Sequence, residues 1–157
     1  MKSLLLALAL FLVAGTLHAQ VGKTAPGFSL KDKDGTVYSD QSLKGKVIVL
    51  NFWATWCPPC RAEIPAFKKV YEQYKGKGVE IVGVSLDQKG WDVIRPFIKQ
   101  YAINYPIVLG GAEIARAYGN IRSIPTTIII DRNGKVVDSH VGAMSEQQLI
   151  KSFEKLL

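Results

Sequence analysis

The sequence contains two cysteines, Cys57 and Cys60, in the pentapeptide Trp56-Cys57-Pro58-Pro59-Cys60. Two thiols at that spacing can cycle between dithiol and disulfide. They follow the apolar run from Val47 to Trp53 and open an amphipathic stretch from Arg61 to Tyr74. Cys57 therefore falls at or just before a helix N-terminus. Free N–H groups and the helix dipole favour a thiolate there, and the thiolate is the attacking species in disulfide exchange. Cys60, one turn in, is placed to resolve a mixed disulfide. Pro58 and Pro59 fix two φ angles and remove two N–H donors from the turn, which tunes the Cys57 thiol. As a staple the pair would do little, because so small a loop yields only about 2 kcal/mol of chain-entropy stabilisation. Zinc is disfavoured: four ligands are usual, and the histidines, His18 and His140, are not at ligand spacing from the thiols. No cofactor is expected beyond the Cys57–Cys60 redox disulfide itself.

The cysteines must be read with their compartment. Residues 1–19 have the features of a secretory signal peptide. Lys2 supplies the positive start, and Leu4 to Val13 is an apolar core of ten residues, too short to span a bilayer. Leu17-His18-Ala19 offers a cleavage site. The expectation is an exported protein, periplasmic or otherwise extracytoplasmic, with residues 20–157 forming one domain. A retained segment would act as a membrane anchor. Disulfides persist in such compartments, so a dithiol kept reduced there needs electrons from elsewhere. The chain has 20 basic and 13 acidic residues, a net charge of +7. The basic residues are scattered and not interleaved with aromatics. That pattern excludes a nucleic-acid interface and suits acidic partners or a membrane surface.

The elements that position the thiols alternate between strand and helix patterns, which argues for α/β layers. Phe28 to Leu30 and Thr36 to Tyr38 flank a turn ending in Asp34-Gly35, a hairpin signal. Val47 to Trp53 reads as a central strand buried on both faces. Ile64, Phe67, Val70, Tyr71 and Tyr74 recur at helical spacing, and Gly76 and Gly78 end that helix. Pro65 lies inside it and is expected to kink it. A strand over 80–86, a helix over 91–101, a strand over 105–109 and a short helix over 112–118 follow. Thr126 to Ile130 and Lys135 to Val141 flank the turn Asp131-Arg132-Asn133-Gly134, and Ser145 caps a last helix over 146–156. This order resembles the thioredoxin layout: a central mixed sheet flanked by helices, with an N-terminal hairpin and an inserted βαβ element near 79–109.

The segment from Gly45 through Asn51-Phe52-Trp53-Ala54-Thr55-Trp56-Cys57-Pro58-Pro59-Cys60-Arg61-Ala62-Glu63-Ile64-Pro65 resembles the exported TlpA/ResA-like branch of the thioredoxin superfamily. Ala25-Pro26-Gly27-Phe28 upstream, and Gly119 to Ile130, Asp131 to Gly134 and Val141-Gly142 downstream, fit the same branch, so the likeness covers nearly all of residues 20–157. It implies that Pro125 is the superfamily's cis-proline, lying against the cysteine turn. The backbone of Ile124 would then be exposed beside Cys57, where an extended substrate segment could pair. It also supports a role for Glu63. That residue lies three after Cys60 on the same helix face. A buried carboxyl there has its pKa raised by desolvation and can take the proton from Cys60 as that sulfur attacks. Ordinary thioredoxins carry a buried aspartate where this chain has Asn51, which cannot titrate, and this shifts the weight to Glu63. Trp56, Pro58 and Pro59 are candidates for an apolar docking rim. Trp53 and Phe52 are assigned to the core, and His140 to a strand face.

The leading expectation is a thiol–disulfide oxidoreductase, a protein disulfide reductase acting on disulfide-containing exported proteins. The resemblance implies electrons from a membrane dithiol donor, and a c-type cytochrome precursor as one substrate. The same chemistry run as an oxidant or isomerase is the alternative. A thiol peroxidase is less well supported, because Asn51 stands where peroxiredoxins carry a proline. A copper-binding protein is also less well supported, because Met1 and Met144 are the only methionines.

Overall fold

The structure is a computed structural model that describes residues 21–157. The expected signal segment lies outside them. Among the described residues, no helix is long and apolar enough to cross a membrane.

The centre is β3, Val47–Trp53, whose seven residues are all buried. Alternation along it feeds two cores, as strand geometry requires. Val47, Val49 and Trp53 join one cluster with Ile64, Phe67 and Val70. Ile48, Leu50 and Phe52 join the other with Phe28, Leu43 and Tyr118. β3 pairs in parallel with β4, Val79–Ser85, and antiparallel with β6, Thr126–Ile130. Adding β5, Ile107–Leu109, and β7, Val136–Val141, completes a five-stranded mixed sheet ordered β5-β4-β3-β6-β7. A separate hairpin, β1 (Ser29–Lys31) with β2 (Val37–Ser39), turns through Asp32 to Gly35. It touches the sheet edge through a bridge between Asp32 and Val108. The expected thioredoxin-like layout is therefore present. The inserted βαβ element is β4, α2 (Trp91–Tyr101) and β5, which forms one edge of the sheet.

Helix α1, Pro58–Tyr74, starts three residues earlier than the amphipathic pattern alone indicated. The two prolines occupy its first turn, where their missing N–H groups break no helical bond. α1 runs on through Pro65 and ends in a 3₁₀ turn over Lys75–Lys77, closed by Gly78 at φ +84°. That left-handed conformation favours glycine. The short helix α3 spans Ala112–Ala117. The last helix, α4, spans Glu146–Phe153 and passes into a 3₁₀ turn over Glu154–Leu156. Ser145 caps α4: its hydroxyl accepts from Gln148 N, and the Gln148 side chain accepts from Ser145 N. α1 and α4 cover the sheet face that carries Asn51, with Leu149 and Phe153 buried against the Phe67 cluster.

Gly83 in β4 permits the closest approach in that cluster. A Cβ there would stand 2.5 Å from Ile107 Cδ1 and 3.0 Å from Trp53 Nε1. Overpacking of this kind costs roughly 1–3 kcal/mol. Gly83→Ala is accordingly expected to lower the unfolding free energy by that amount, read as a lower urea midpoint at unchanged m-value. A midpoint equal to the parent's would show that Ile107 and Trp53 yield freely.

Candidate active site

The turn from β3 to α1 carries the thiols. Cys57 is the N-cap residue of α1, with extended backbone, and Cys60 is the third helical residue. They form a disulfide with their Cα atoms 5.3 Å apart. Both cysteines are buried, whereas Trp56, Pro58 and Pro59 around them are exposed. Trp56 is 66% exposed, more than any other large apolar side chain among the described residues.

Because Pro58 and Pro59 have no N–H, the first free amide of α1 belongs to Cys60. It donates to Cys57 Sγ at 3.3 Å. The next amide, that of Arg61, is spent on the Cys57 carbonyl. A backbone oxygen, Ile124 O, also lies 3.7 Å from Cys57 Sγ. The Ile124–Pro125 peptide bond is cis, as the resemblance implied. Pro125 is buried, and its carbonyl accepts from Gly142 N, which ties this loop to the end of β7.

Glu63 is only 3% exposed. It lies one turn past Cys60, and both its oxygens are engaged. Asn51 Nδ2 donates to Oε1 at 2.9 Å, and Met144 N donates to Oε2 at 3.1 Å. Asn51 also donates to Thr127 Oγ1 at 3.1 Å. Burial raises the Glu63 pKa from an ordinary 4.5 to about 7. The donors Asn51 and Met144 pull the other way, because they favour the carboxylate, and burial outweighs them. His140 stands opposite Thr127 in the β6–β7 ladder, half-buried, as a strand-face residue should.

The residues expected at the site are Cys57, Cys60, Glu63, Pro125, Ile124, Trp56, Pro58 and Pro59. The first two form the disulfide, Ile124 adjoins it, and Glu63 lies one helical turn away. Not among them are the backbone amide of Met144, which has no side-chain signal, and Asp87, a buried carboxylate just past β4 that accepts from Thr55 N. An acid ending a buried strand was the available sign of Asp87.

A helix-capping dithiol on a strand–turn–helix unit, facing a cis-proline loop in a five-stranded mixed sheet, defines a thioredoxin-fold dithiol–disulfide protein. The sequence profile of the Redoxin family matches residues 20–157, and the chain belongs to that family. It is 41% identical over 140 residues to the thiol-disulfide oxidoreductase ResA of Halalkalibacterium halodurans, covering 88% of this chain and 78% of that protein. It is also 41% identical over 131 residues to the thioredoxin-like protein YneN of Bacillus subtilis, covering 83% and 76% respectively. Among solved structures, StoA from Bacillus subtilis superposes with a TM-score of 0.71 at 32% identity, over 81% of this chain and 96% of that one. A thiol:disulfide interchange protein from Chlorobium tepidum gives a TM-score of 0.78 at 35% identity, over 85% and 94%. The chain is a thiol–disulfide oxidoreductase of the ResA-like kind.

The raised Glu63 pKa has a consequence for stability. In the oxidised protein neither thiol titrates. The folded state holds the Glu63 proton more tightly than the unfolded chain does. Its contribution to stability is therefore full below pH 4.5 and is lost as pH rises through about 7. The shift corresponds to roughly 3 kcal/mol. The difference in unfolding free energy between the parent and Glu63→Gln is expected to change by about that amount between roughly pH 4 and pH 8. A difference that does not vary with pH would show that Glu63 titrates as an ordinary carboxyl.

Proposed function

We propose that the Cys57–Cys60 pair reduces disulfides of exported proteins and is itself re-reduced by a membrane dithiol donor. The observation that carries the reductive direction is the set of groups around Cys57 Sγ. A strong disulfide oxidant owes its high potential to a stabilised reduced form, whose attacking thiolate is held by several donors. Here two of the helix's leading donors are prolines, one amide reaches the sulfur, and the Ile124 carbonyl faces it at 3.7 Å. A carbonyl oxygen beside the sulfur disfavours a thiolate. The reduced form gains little from such surroundings and gives up its electrons readily.

In the forward cycle the Cys57 thiolate attacks one sulfur of a substrate disulfide. A Cys57–substrate bond forms, the substrate S–S bond breaks, and the first substrate sulfur leaves as a thiolate. Glu63 then takes the Cys60 proton, and Cys60 attacks Cys57. The Cys57–Cys60 bond forms and the second substrate thiolate departs. Two electrons have passed to the substrate. The donor dithiol runs these steps backwards, and Glu63 returns the proton. Trp56, Pro58 and Pro59 form the apolar rim against which a substrate docks, and the Ile124 backbone pairs with its extended segment. Pro125 shapes that edge. A c-type cytochrome precursor, whose paired cysteines must be reduced before haem is attached, is a fitting substrate. Residues 1–19 direct export and are removed or retained as an anchor.

The reduction potential of the pair at pH 7 is expected at or below roughly −250 mV. A value near roughly −120 mV overturns the reductive direction and makes the protein a disulfide donor. Stopped-flow kinetics of the reduced protein with a disulfide peptide should separate the two steps. Glu63→Gln is expected to leave formation of the mixed disulfide unchanged and to slow its resolution by roughly 10²-fold, within the usual range for a general base. Equal slowing of both steps would remove Glu63 from the proton transfer.

A further inference from the structure

Asp87, just beyond β4, is only 5% exposed, and no step of the cycle above uses it. Its carboxylate reaches across to the redox turn. Thr55 N donates to Oδ2 at 3.0 Å, and Thr55 Oγ1 donates to Oδ1 at 2.6 Å. Ser85 Oγ donates to Oδ2 at 2.8 Å, and Asp87 N donates back to Ser85 Oγ at 3.2 Å. Beside this cluster, Leu86 N donates to Trp53 O, and Gly90 N donates to the Asp87 carbonyl just before α2 begins.

Thr55 is two residues before Cys57, between the buried end of β3 and the first turn of α1. Its amide and its hydroxyl are both committed to one carboxylate on a neighbouring strand end. A buried carboxylate left short of donors, or a buried donor left without an acceptor, bears its full desolvation penalty. The turn is therefore held to one position by an acceptor outside it.

We propose that Asp87 is a positioning residue for the redox turn: through its paired bonds to Thr55 it fixes the Cys57 sulfur, and so sets both its rate of attack and the potential of the pair. This rests on Cys57 being the attacking thiol and not on the direction of the cycle. The competing account is that Asp87 serves only the β4–α2 connection through Ser85 and Gly90, with the Thr55 bonds incidental.

The test is a double-mutant cycle on the full-length protein with Thr55→Val and Asp87→Ala, and Thr55→Ser as the conservative variant. Two quantities are read: the rate constant for iodoacetamide alkylation of reduced Cys57 at fixed pH, located by mass spectrometry, and the equilibrium constant of the pair with glutathione. Loss of the Asp87 charge occurs on both sides of the cycle and cancels from the coupling. Thr55→Val is expected to change both quantities by roughly tenfold, since small misplacements of a reacting group carry effects of up to about 10²-fold. Asp87→Ala is expected to change them at least as much, and the double variant no further. Thr55→Ser is expected to restore parental values within about twofold. Additive effects in the cycle overturn the proposal. So does a Thr55→Val protein that matches Thr55→Ser in both readouts, a comparison that remains decisive if Asp87→Ala does not fold. A change in the thermal midpoint with both thiol readouts at parental values has the same meaning, because it leaves Asp87 a purely structural role. An oxidising potential in the parent protein overturns the reductive reading above and leaves this coupling measurable.

Discussion

The hydrogen bond from Asn51 Nδ2 to Glu63 Oε1 joins the central strand to the redox helix inside the core. The rest of the site is arranged around it. A carboxyl group in that position must be met by donors, and Asn51 and the Met144 amide supply one for each oxygen. Asn51 can reach it only from the α1 side of β3. The alternation that buries Val49 and Trp53 with Phe67 also puts Asn51 on that side. A slip of one residue in the β3–β6 register would turn Asn51 to the opposite face and leave Glu63 unsatisfied. The pairing of Asn51 with Thr127 in that ladder, and the Asn51–Thr127 hydrogen bond, hold the register at this point. Sheet register, helix docking and the state of one proton are thus a single constraint.

The turn above that core is governed by what it lacks. A helix N-terminus ordinarily presents several unpaired amides to whatever caps it. Here prolines fill the first two helical positions, and the Arg61 amide is held by the Cys57 carbonyl. The sulfur is left with the Cys60 amide. The helix dipole is intact, so Cys57 still feels a field that favours negative charge. The short-range donors that would turn that field into strong thiolate stabilisation have been removed. Prolines that are harmless to the helix, because no bond is lost there, alter the chemistry of its cap.

Much of this could be read from residue types. The Cys57–Cys60 spacing, the prolines between them and the apolar run before them place a dithiol on a strand–helix turn, and the β-branched run Thr126 to Ile130 fixes the strand after Pro125. The bounds of β3, α2 and β6 follow from periodicity alone, since each is a dense apolar or amphipathic run with a clear stop. The start of α1 does not, because its first turn carries prolines and no apolar pattern. Glu63 was legible as a helix-face neighbour of Cys60. Its donors were not equally legible. Asn51 stands out as a polar residue in an apolar strand, but the Met144 amide is a backbone group delivered by the loop after β7. Asp87 was overlooked because its partner, Thr55, is distant in sequence and pairs with it through the parallel β3–β4 alignment.

The energetic sense of a buried carboxyl at about 7 emerges from the proton's route. Transfer from an ordinary thiol near 8.5 to an ordinary carboxylate is uphill by about four pKa units, or roughly 5–6 kcal/mol. With Glu63 at about 7 the gap to such a thiol falls to roughly 2 kcal/mol. The same burial that makes the carboxylate costly brings its pKa close enough to a thiol's for the base role proposed above. Charge follows a consistent path as well. Before resolution the core holds the negative charge of Glu63. In the proposed cycle that charge passes to sulfur as Cys60 attacks and leaves with the departing substrate thiolate, so the core ends neutral. A buried carboxylate is relieved by losing its charge, and the resolving step is the one that discharges it. In the cycle proposed above, the desolvation that raises the Glu63 pKa therefore favours closure of the Cys57–Cys60 disulfide, the step in which two electrons pass to the substrate.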